Sequence, residues 1–378
     1  MRTTTVVALL SLTATSLSWE WAQGAQWNLK LGSPSNSTMN YTTIAGFFQQ
    51  DDPATDAKNF DYTESNFGLI ERAYPTDDVF DPRGEKTQWE RFENYVNALN
   101  RNATKDTQYK VLFMGRHGEG YHNAAESYYG TPAWNCYWGL QDGNGTSTWR
   151  DARLTEAGIA QCSKAASFWA NALSASKIPA PQTYYSSPLT RSATTANLTF
   201  GALALPADRP FAPTVKELLR EGISPRTCDE RPDRAALQAL LPHFRFEDGF
   251  AEVDPLWRAG EGETDEAMAV RTKRVLDDIF GNDQSTWVSI TTHSGQITQS
   301  LKVLGHIPFS LTTGQAIPVL VRAERRGGGE PATTTGASRT AEATCGNPPV
   351  TSVSGQGCVC SSASSSTLAS ATATTTPA

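Results

Sequence analysis

The stretch of residues 111–123 constrains this chain more than any other. It begins as the apolar run Val-Leu-Phe-Met and stops abruptly at Arg116-His117-Gly118. An apolar run that ends in polar residues is typical of a buried strand that delivers them to the ligand-binding edge of an open α/β sheet. Arg116 suits phosphate or carboxylate, and His117 can act as a nucleophile, a base or a ligand. We therefore expect this strand to lead into a functional site.

Short apolar segments alternate with segments of helical periodicity along the chain. The strand-like segments are residues 109–114, 183–187, 214–219, 287–292 and 319–321, the last interpreted as an edge strand. The helical segments are residues 88–100, 155–173, 189–198, 265–280 and 296–304. Residues 120–150 are expected to form a long loop with aromatic anchors. The alternation predicts an α/β layered fold with a mainly parallel sheet.

Polar side chains follow several of these predicted strands. His117 and Arg116 follow the first, Arg191 lies just inside the helix after the second, and His293 follows the strand at 287–292. A stretch containing Glu221 lies between them. The arginines would hold phosphate oxygens, one histidine kept neutral by nearby cations could attack phosphorus, and the other could stabilise the developing charge. The pattern indicates an anion site.

The motifs of this site resemble those of a known family. Residues 116–123 (Arg-His-Gly-Glu-Gly-Tyr-His-Asn) are similar to the Arg-His-Gly motif of the histidine phosphatase superfamily. Residues 154–158 (Leu-Thr-Glu-Ala-Gly), 185–191 and 293–295 (His-Ser-Gly) follow in the family's order and rough spacing. The resemblance covers about residues 108–325. It implies a three-layer α/β/α sandwich with a mainly parallel central sheet.

The resemblance is closest to the phosphoglycerate mutase-like branch. The acid phosphatase and phytase branch usually reads Arg-His-Gly-x-Arg-x-Pro and ends in His-Asp, whereas here Glu-Gly-Tyr follows Gly118 and Ser294 follows His293. Residues 134–138 and 228–231 look like those of a phosphomutase subgroup whose substrate is poorly defined.

The resemblance also implies roles for individual residues. His117 would become a phosphohistidine, and Arg116, Arg191 and His293 would line the phosphate pocket, with Asn123 near it. The mechanism would be two in-line displacements, in which phosphoryl passes to His117 and then to water. Cationic side chains would supply the charge stabilisation, so no metal or other cofactor is expected.

The proton donor to the leaving oxygen is usually a carboxylate in this family. Glu221 matches best, with Glu217 and Glu119 as weaker alternatives. A solvated carboxylate is the competing interpretation of Glu221. His122 is expected to be only a neighbour of the site, and the remaining histidines, His243 and His306, are expected to be structural or at the surface.

Composition divides the chain into four parts. A basic start and an apolar core predict a signal peptide at residues 1–24, and residues 25–107 are expected to be an extension packed on the main domain. The catalytic domain spans 108–325. Residues 331–378 carry only two charges, Arg339 and Glu342, so 326–378 is expected to be a disordered Ser/Thr/Ala-rich tail.

Glycosylation signals and cysteines support a secretory route. Five Asn-x-Ser/Thr sequons begin at Asn36, Asn40, Asn102, Asn144 and Asn197. Of six cysteines, three fall in the tail, and their pairing stays open. A metal site at Cys358 and Cys360 is poorly supported. These features predict a secreted protein, which could also associate with a cell wall.

Charge and hydropathy exclude some partners. The formal net charge is −7 without any basic block, which argues against nucleic acid. No run after the signal approaches the ~20 apolar residues of a membrane span. The predicted function is a secreted phosphatase acting on a small-molecule phosphate ester. The alternatives are phosphoglycerate mutase-type transfer and a catalytically weak cell-surface binding glycoprotein, and oligomeric state is left open.

Overall fold

The computed structural model describes residues 37–327, 338–349, 351–353 and 357–360. The expected signal peptide at 1–24 and the sequon asparagine Asn36 lie outside the described residues. The helices are α1 (Asp77–Phe80), α2 (Gln88–Arg101), α3 (Tyr121–Tyr129), α4 (Thr131–Cys136), α5 (Glu156–Asn171), α6 (Thr190–Phe200), α7 (Arg234–Leu240), α8 (Asp265–Asn282) and α9 (Ser294–Leu304). The strands are β1 (Ser37–Thr43), β2 (Thr107–Arg116), β3 (Thr183–Ser186), β4 (Thr214–Val215), β5 (Arg245–Phe246), β6 (Glu261–Glu263), β7 (Trp287–Thr292), β8 (Ala316–Gly327), β9 (Arg339–Ala341), β10 (Thr351–Val353) and β11 (Gly357–Val359).

Seven strands form the central sheet, in the order β1-β8-β2-β7-β3-β4-β5. The pairs from β2 through β7, β3 and β4 to β5 are parallel, and β8 is antiparallel to both β1 and β2. The prediction of an edge strand at 319–321 is wrong, because β8 lies between two strands and Val319, Leu320 and Val321 are fully buried. The outer strand on this side of the sheet is β1, from the expected N-terminal extension.

Helices cover both faces of the sheet. On one face, Phe113 of β2 packs against Trp89 of α2 and Trp169 of α5, with ring centroids 6.2 and 5.1 Å apart. On the other face, the ammonium of Lys110 lies 5.6 Å from the ring centroid of Phe280 in α8. Residues 110 and 113 of a strand point to opposite sides. The fold is therefore the expected three-layer α/β/α sandwich with a mainly parallel sheet.

The extension is continuous with the core of the sandwich. Helix α2 begins at a capping box, in which the Thr87 hydroxyl accepts from the Glu90 N–H and the Glu90 carboxylate accepts from the Thr87 N–H. Its apolar side chains, such as Phe92 and Val96, are fully buried in the cluster that includes the central strands. Residues 37–107 thus supply both an edge strand and a core helix.

The expected long loop at 120–150 is wrong for its first half. Residues 121–136 form α3 and α4, separated by Gly130 at a φ of +79°. Pro132 suits the first turn of α4, because that turn needs no backbone donor from it. Trp134 and Trp149 pack with ring centroids 5.5 Å apart in a small separate cluster. Tertiary packing of these aromatics stabilises helices that the sequence pattern did not predict.

Part of the expected disordered tail is structured. Strand β9 pairs with β6, and disulfides join Cys136 to Cys358 and Cys345 to Cys360. The Cys345 N–H also donates to the Cys136 carbonyl at 2.9 Å. The expectation of disorder is therefore wrong for residues 338–349 and 357–360, because covalent cross-links replace the hydrophobic burial that the composition lacks.

Among the described helices, none combines the length and the apolar character needed to cross a bilayer.

Strand register brings the polar strand ends together. Arg116 at the end of β2 pairs with Thr292 of β7, and Ser186 at the end of β3 pairs with Thr291. Because these three neighbouring strands are parallel, the residues that follow them meet at one edge of the sheet. Strand β4 ends at Val215, earlier than the predicted 214–219, and a 3₁₀ helix at Glu217–Leu219 leads to Glu221 beside the same edge.

Candidate active site

His117 is fixed at the carboxyl end of β2. Its backbone N–H donates to the Thr292 carbonyl at 2.9 Å, and its carbonyl accepts from the Gly314 N–H at 3.0 Å. Its ring Nδ1 lies 2.7 Å from the carbonyl oxygen of Gly118. Since a carbonyl can only accept, Nδ1 carries the proton and Nε2 keeps its lone pair. The imidazole is thus held in the tautomer that makes Nε2 a nucleophile.

The surroundings of His117 keep its ring neutral. The side chain is 1% exposed. Burial, reinforced by the Arg191 and Arg116 guanidinium groups, lowers the pKa of His117 well below its ordinary value. A neutral imidazole is the reactive form toward an electrophilic phosphorus.

Two further buried histidines surround His117. The ring of His293 lies 5.0 Å from that of His117 and the ring of His122 lies 5.3 Å from it, measured between centroids. His293 Nε2 is 2.8 Å from the Ser187 hydroxyl and 3.2 Å from the Ser192 hydroxyl. Burial first, and then the charge of Arg191, lowers the pKa of both neighbouring rings.

His122 was expected to be a neighbour of the site, and its ring does lie beside that of His117. The prediction of a loop at 120–150 concealed that His122 and Ala125, three residues apart, share the buried side of α3. A helical interpretation of 121–129 would have exposed this signal.

The two predicted arginines are anchored by backbone carbonyls. Arg191 is 1% exposed, and it donates to the Cys228 carbonyl at 2.6 Å and lies 3.4 Å from a carboxylate oxygen of Asp229. Arg116 donates to the Leu311 carbonyl at 2.8 Å. Burial lowers the pKa of Arg116, while the nearby Glu221 acts in the opposite direction.

Four buried nitrogens around His117 have no hydrogen-bond partner within the described ranges. They are Arg116 Nε, Arg191 Nε, His122 Nδ1 and His293 Nδ1. A buried polar group without a partner costs roughly 1–3 kcal/mol. An oxyanion brings only acceptors, so phosphate would satisfy the two arginine Nε–H groups, and each histidine Nδ1 in the tautomer that carries a proton there. The chemistry of the cluster fits a phosphoryl group.

Glycines from two motifs pack against each other beside the nucleophile. A Cβ on Gly118 would lie 2.6 Å from the carbonyl oxygen of Gly158, and one on Gly158 would overlap the Glu119 carbonyl. Thr155, the N-cap of α5, also donates to the Glu119 carboxylate at 2.7 Å. Helix α5 therefore braces the turn that follows His117.

The carboxylate of Glu221 lies at the N-terminus of α9, the helix that begins directly after His293. This carboxylate accepts from the N–H groups of Gly295 and Gln296 at 3.2 and 3.1 Å and from the Ser294 hydroxyl at 3.3 Å. A side chain on Gly295 would overlap this carboxylate. Carboxylates at a helix N-terminus are stabilised by the exposed N–H groups. This arrangement ties Glu221 to the His-Ser-Gly motif, and its role as proton donor remains a prediction.

The weaker predicted carboxylates have other partners. Glu217 is buried in ion pairs with Arg231 at 2.8 Å and Arg220 at 3.2 Å. The carboxylate of Glu119 accepts from Thr155, as described above. Glu217 is thus engaged in ion pairs, whereas Glu119 and Glu221 both accept hydrogen bonds, so the preference for Glu221 still rests on the motif that it matches.

The other polar residues singled out from the sequence have structural partners. Asn123 accepts from the Gly120 N–H at 3.0 Å, which fixes the start of α3. The ring of His243 packs 5.0 Å from that of Phe244, and His306 Nε2 lies 3.2 Å from a carboxylate oxygen of Asp51.

A buried ionic network behind Arg191 was not predicted. Asp229 contacts Arg191 through its carboxylate, and its carbonyl accepts from Arg220. Arg220 in turn makes a bidentate pair with Asp254 at 2.6 and 2.7 Å. The only sequence signal for this network was the resemblance of residues 228–231 to a phosphomutase subgroup. The network positions Arg191 from the far side of the site.

Three cysteine sulfurs lie close enough together to hold a metal ion. Among the described residues, the sulfur atoms of Cys136, Cys345 and Cys358 lie within 4.8 Å of one another. Each belongs to a disulfide, so none offers the thiolate that a metal would bind.

Comparisons with known proteins show similarity to the same family. Residues 136–318 match the model of the histidine phosphatase superfamily, branch 1. A probable phosphoglycerate mutase of Arthroderma benhamiae is 49% identical over 286 residues, which cover 76% of this chain and 85% of that protein. Phosphomutase-like protein 3 of Candida albicans is 32% identical, over 80% of this chain and 86% of that protein. A phosphoglycerate mutase structure from Thermus thermophilus superposes with a TM-score of 0.31 at 22% identity, over 56% of this chain and 97% of that one.

Proposed function

The chain belongs to the histidine phosphatase superfamily, and we propose that it is a secreted phosphatase that hydrolyses phosphate monoesters through a phosphohistidine on His117. The observation that carries the proposal is the environment of His117. Its ring is buried, neutral and fixed with Nε2 free, and unpartnered nitrogens of two arginines and two histidines surround it in the described structure.

The first displacement forms a phosphohistidine. Nε2 of His117 attacks phosphorus, the bond from phosphorus to the ester oxygen breaks, and the leaving oxygen takes a proton from Glu221. Arg116 and Arg191 hold the phosphoryl oxygens by charge-assisted hydrogen bonds. His293 lies beside His117 where charge develops on those oxygens.

The second displacement returns the enzyme to its starting state. Glu221, now a carboxylate, takes a proton from water, and the water oxygen attacks phosphorus. The bond from phosphorus to Nε2 breaks, orthophosphate leaves, and His117 regains its lone pair. Nδ1 keeps its proton throughout, because it donates to the Gly118 carbonyl, and the ring needs no change of tautomer.

A mutase is the second candidate function. The Arthroderma benhamiae relative is named a probable phosphoglycerate mutase. Such an enzyme would return the phosphoryl group from His117 to a bound sugar acid rather than to water. We rank it second, because a secreted protein would meet little of that substrate. A binding glycoprotein without activity ranks third, because the set of Arg116, His117, Arg191 and His293 is complete.

Three features support the proposed secretory route. The predicted signal peptide precedes the described residues, and three of the sequon asparagines, Asn40, Asn102 and Asn144, are exposed. Two disulfides need an oxidising compartment. Expression of the full chain in a secreting host, followed by glycosidase treatment of the medium, tests this: we expect secreted protein whose mobility increases after treatment.

Hydrolysis of aryl phosphates tests the activity. We expect the wild type to hydrolyse p-nitrophenyl phosphate in the presence of a chelator, and His117→Ala to lose the activity. His243→Ala, which alters a histidine packed against Phe244, is the matched control and should retain it. If wild type and His117→Ala are equally inert from pH 4 to 8, the proposal is wrong. Faster transfer to 3-phosphoglycerate than to water would favour the mutase.

A further inference from the structure

A cavity of about 470 Å³ lies between the first residues of α3 and α6 and one side of α7. At its inner end, the carboxylate of Asp151 accepts from the backbone N–H of Thr190 at 2.9 Å. Both of these residues line the cavity, as does Tyr121.

The inner end of this cavity adjoins the phosphate pocket. Thr190 is the first residue of α6 and Tyr121 the first of α3. The next residue in each helix, Arg191 and His122, belongs to the cluster around His117. This adjacency puts the inner end of the cavity one residue away from the cluster along both helices.

One wall of the cavity is apolar. Helix α7 contributes Ala236, Leu237 and Leu240, and Pro232 precedes the helix. Residues 236, 237 and 240 share a helix side because they are spaced by three and four. Leu240 is 44% exposed, so part of its apolar surface is open to a ligand in the cavity.

The opposite wall is polar and carries an unpaired cation. Arg150 pairs with Glu230 at 2.8 Å and with Asp142 at 3.5 Å, so its charge is compensated. Arg153 is exposed and makes no ion pair with any residue that the structure describes. The cavity therefore offers an apolar side and a single free guanidinium.

We propose that this cavity is the leaving-group site, and that it selects phosphate monoesters of bulky alcohols with an extended apolar face, which packs on α7. This rests on the proposed phosphatase function and names its substrate class. Pockets for ligands larger than a few carbons typically enclose about 300–1,000 Å³. A three-carbon sugar acid would leave most of the cavity unfilled and would not contact the leucines.

The proposal is tested with two phosphate esters whose leaving groups have similar acidity. Phenyl phosphate and 4-butylphenyl phosphate release phenols of similar acidity but differ by four apolar carbons. At about 0.8 kcal/mol per buried CH₂, partial burial of the butyl chain should raise kcat/KM of the wild type about tenfold or more over phenyl phosphate. Equal kcat/KM for the two esters would overturn the proposal.

Matched variants locate the effect. Ala236→Trp fills the cavity and should abolish the preference for the butyl ester, whereas Ala235→Trp, on the neighbouring exposed residue outside the cavity lining, should keep it. Leu240→Gln, at a half-exposed position, should weaken the preference without a bulky insertion. If both tryptophan variants change the ratio equally, the cavity is not the site.

Failure of the underlying function gives a different result. If neither ester is hydrolysed in a manner that depends on His117, the phosphatase proposal and the leaving-group proposal both fall. If both esters are hydrolysed through His117 at equal kcat/KM, only the leaving-group proposal falls.

Discussion

Gly118 and Gly158 pack backbone against backbone, so that a Cβ on Gly118 would lie 2.6 Å from the carbonyl oxygen of Gly158. This contact joins the turn after the nucleophile His117 to the first turn of α5. Two motifs separated by about forty residues of sequence thereby act as one rigid unit. The close contact between the two backbones explains why both positions are glycine.

Enlarging Gly158 should damage both stability and activity. In Gly158→Ala the new methyl group would overlap the Glu119 carbonyl. We expect the free energy of unfolding in urea to fall by about 1–3 kcal/mol, because overpacking forces the backbone to move. Since the displaced backbone follows His117, kcat should fall as well.

A glycine in open space provides the control for that variant. A Cβ on Gly281, near the end of α8, meets nothing within 4 Å. Gly281→Ala should leave kcat unchanged and keep or raise stability, because alanine favours a helix. Equal losses in the two variants would refute the packing argument.

Removing the proposed proton donor should lower kcat by a factor that depends on the leaving group. For alkyl phosphates, Glu221→Gln should lower kcat by about 10²–10⁴-fold, the usual contribution of general acid catalysis. For p-nitrophenyl phosphate the loss should be much smaller, because that leaving group departs without protonation. The comparison is made by steady-state kinetics on both esters.

Glu119→Gln is the control, since Glu119 is the alternative carboxylate nearest in sequence to His117. This variant should lower kcat for both esters by the same factor. If Glu119→Gln shows the leaving-group dependence and Glu221→Gln does not, the assignment of the donor is wrong.

The acid limb of the pH profile should lie lower than that of an ordinary histidine. Burial and two arginines lower the pKa of His117 well below 6.5, so the ring stays neutral and nucleophilic as the pH falls through 6.5. Activity is lost only when the pH approaches the lowered pKa. We therefore expect kcat/KM to show no enzyme-derived inflection near pH 6.5.

The substrate must be separated from the enzyme in that profile. Phosphate monoesters themselves ionise near pH 6. Two aryl phosphates with different second ionisations solve this, because an inflection due to the ester moves with the ester. An inflection near 6.5 that is identical for both substrates would contradict a neutral His117 at that pH.

Reduction of the disulfides should destabilise the protein. The Cys136–Cys358 bond joins residues 222 positions apart, and loss of such a cross-link typically costs about 2–5 kcal/mol. We expect the melting temperature to fall in a thiol reductant. The Cys136→Ser/Cys358→Ser double variant should start lower and respond less. If the melting temperature of the wild type does not change in the reductant, the tail is not anchored by these disulfides.

Local signals in the sequence were sufficient for most of the sheet. Strand β7 and helix α2 match the predicted segments to within a residue, because both combine clear periodicity with clear ends. The strand at 319–321 was misplaced at the edge, since nothing local announces that residues 37–43 pair with it from the other end of the chain. Helices α3 and α4 were missed because tertiary packing of tryptophans, rather than propensity, stabilises them.

The same distinction holds for the site. Arg116, His117, Arg191 and His293 could be brought together from the sequence because each follows a strand of one parallel sheet, although their roles remain predictions. His122 could be placed only as a neighbour, and Asp229 could not be placed at all, since its position depends on burial and on a partner distant in sequence. Motif residues at strand ends are visible to sequence reasoning, and the network that orients them is not.

Trapping of the phosphoryl enzyme tests the central claim most directly. Wild-type protein is mixed with a phosphate ester labelled at phosphorus, quenched in alkali to preserve phosphohistidine, and mapped by peptide mass spectrometry. We predict acid-labile label on His117, and none in His117→Ala under the same conditions. Label on another residue, or turnover by the His117→Ala variant at the wild-type rate, would contradict the account.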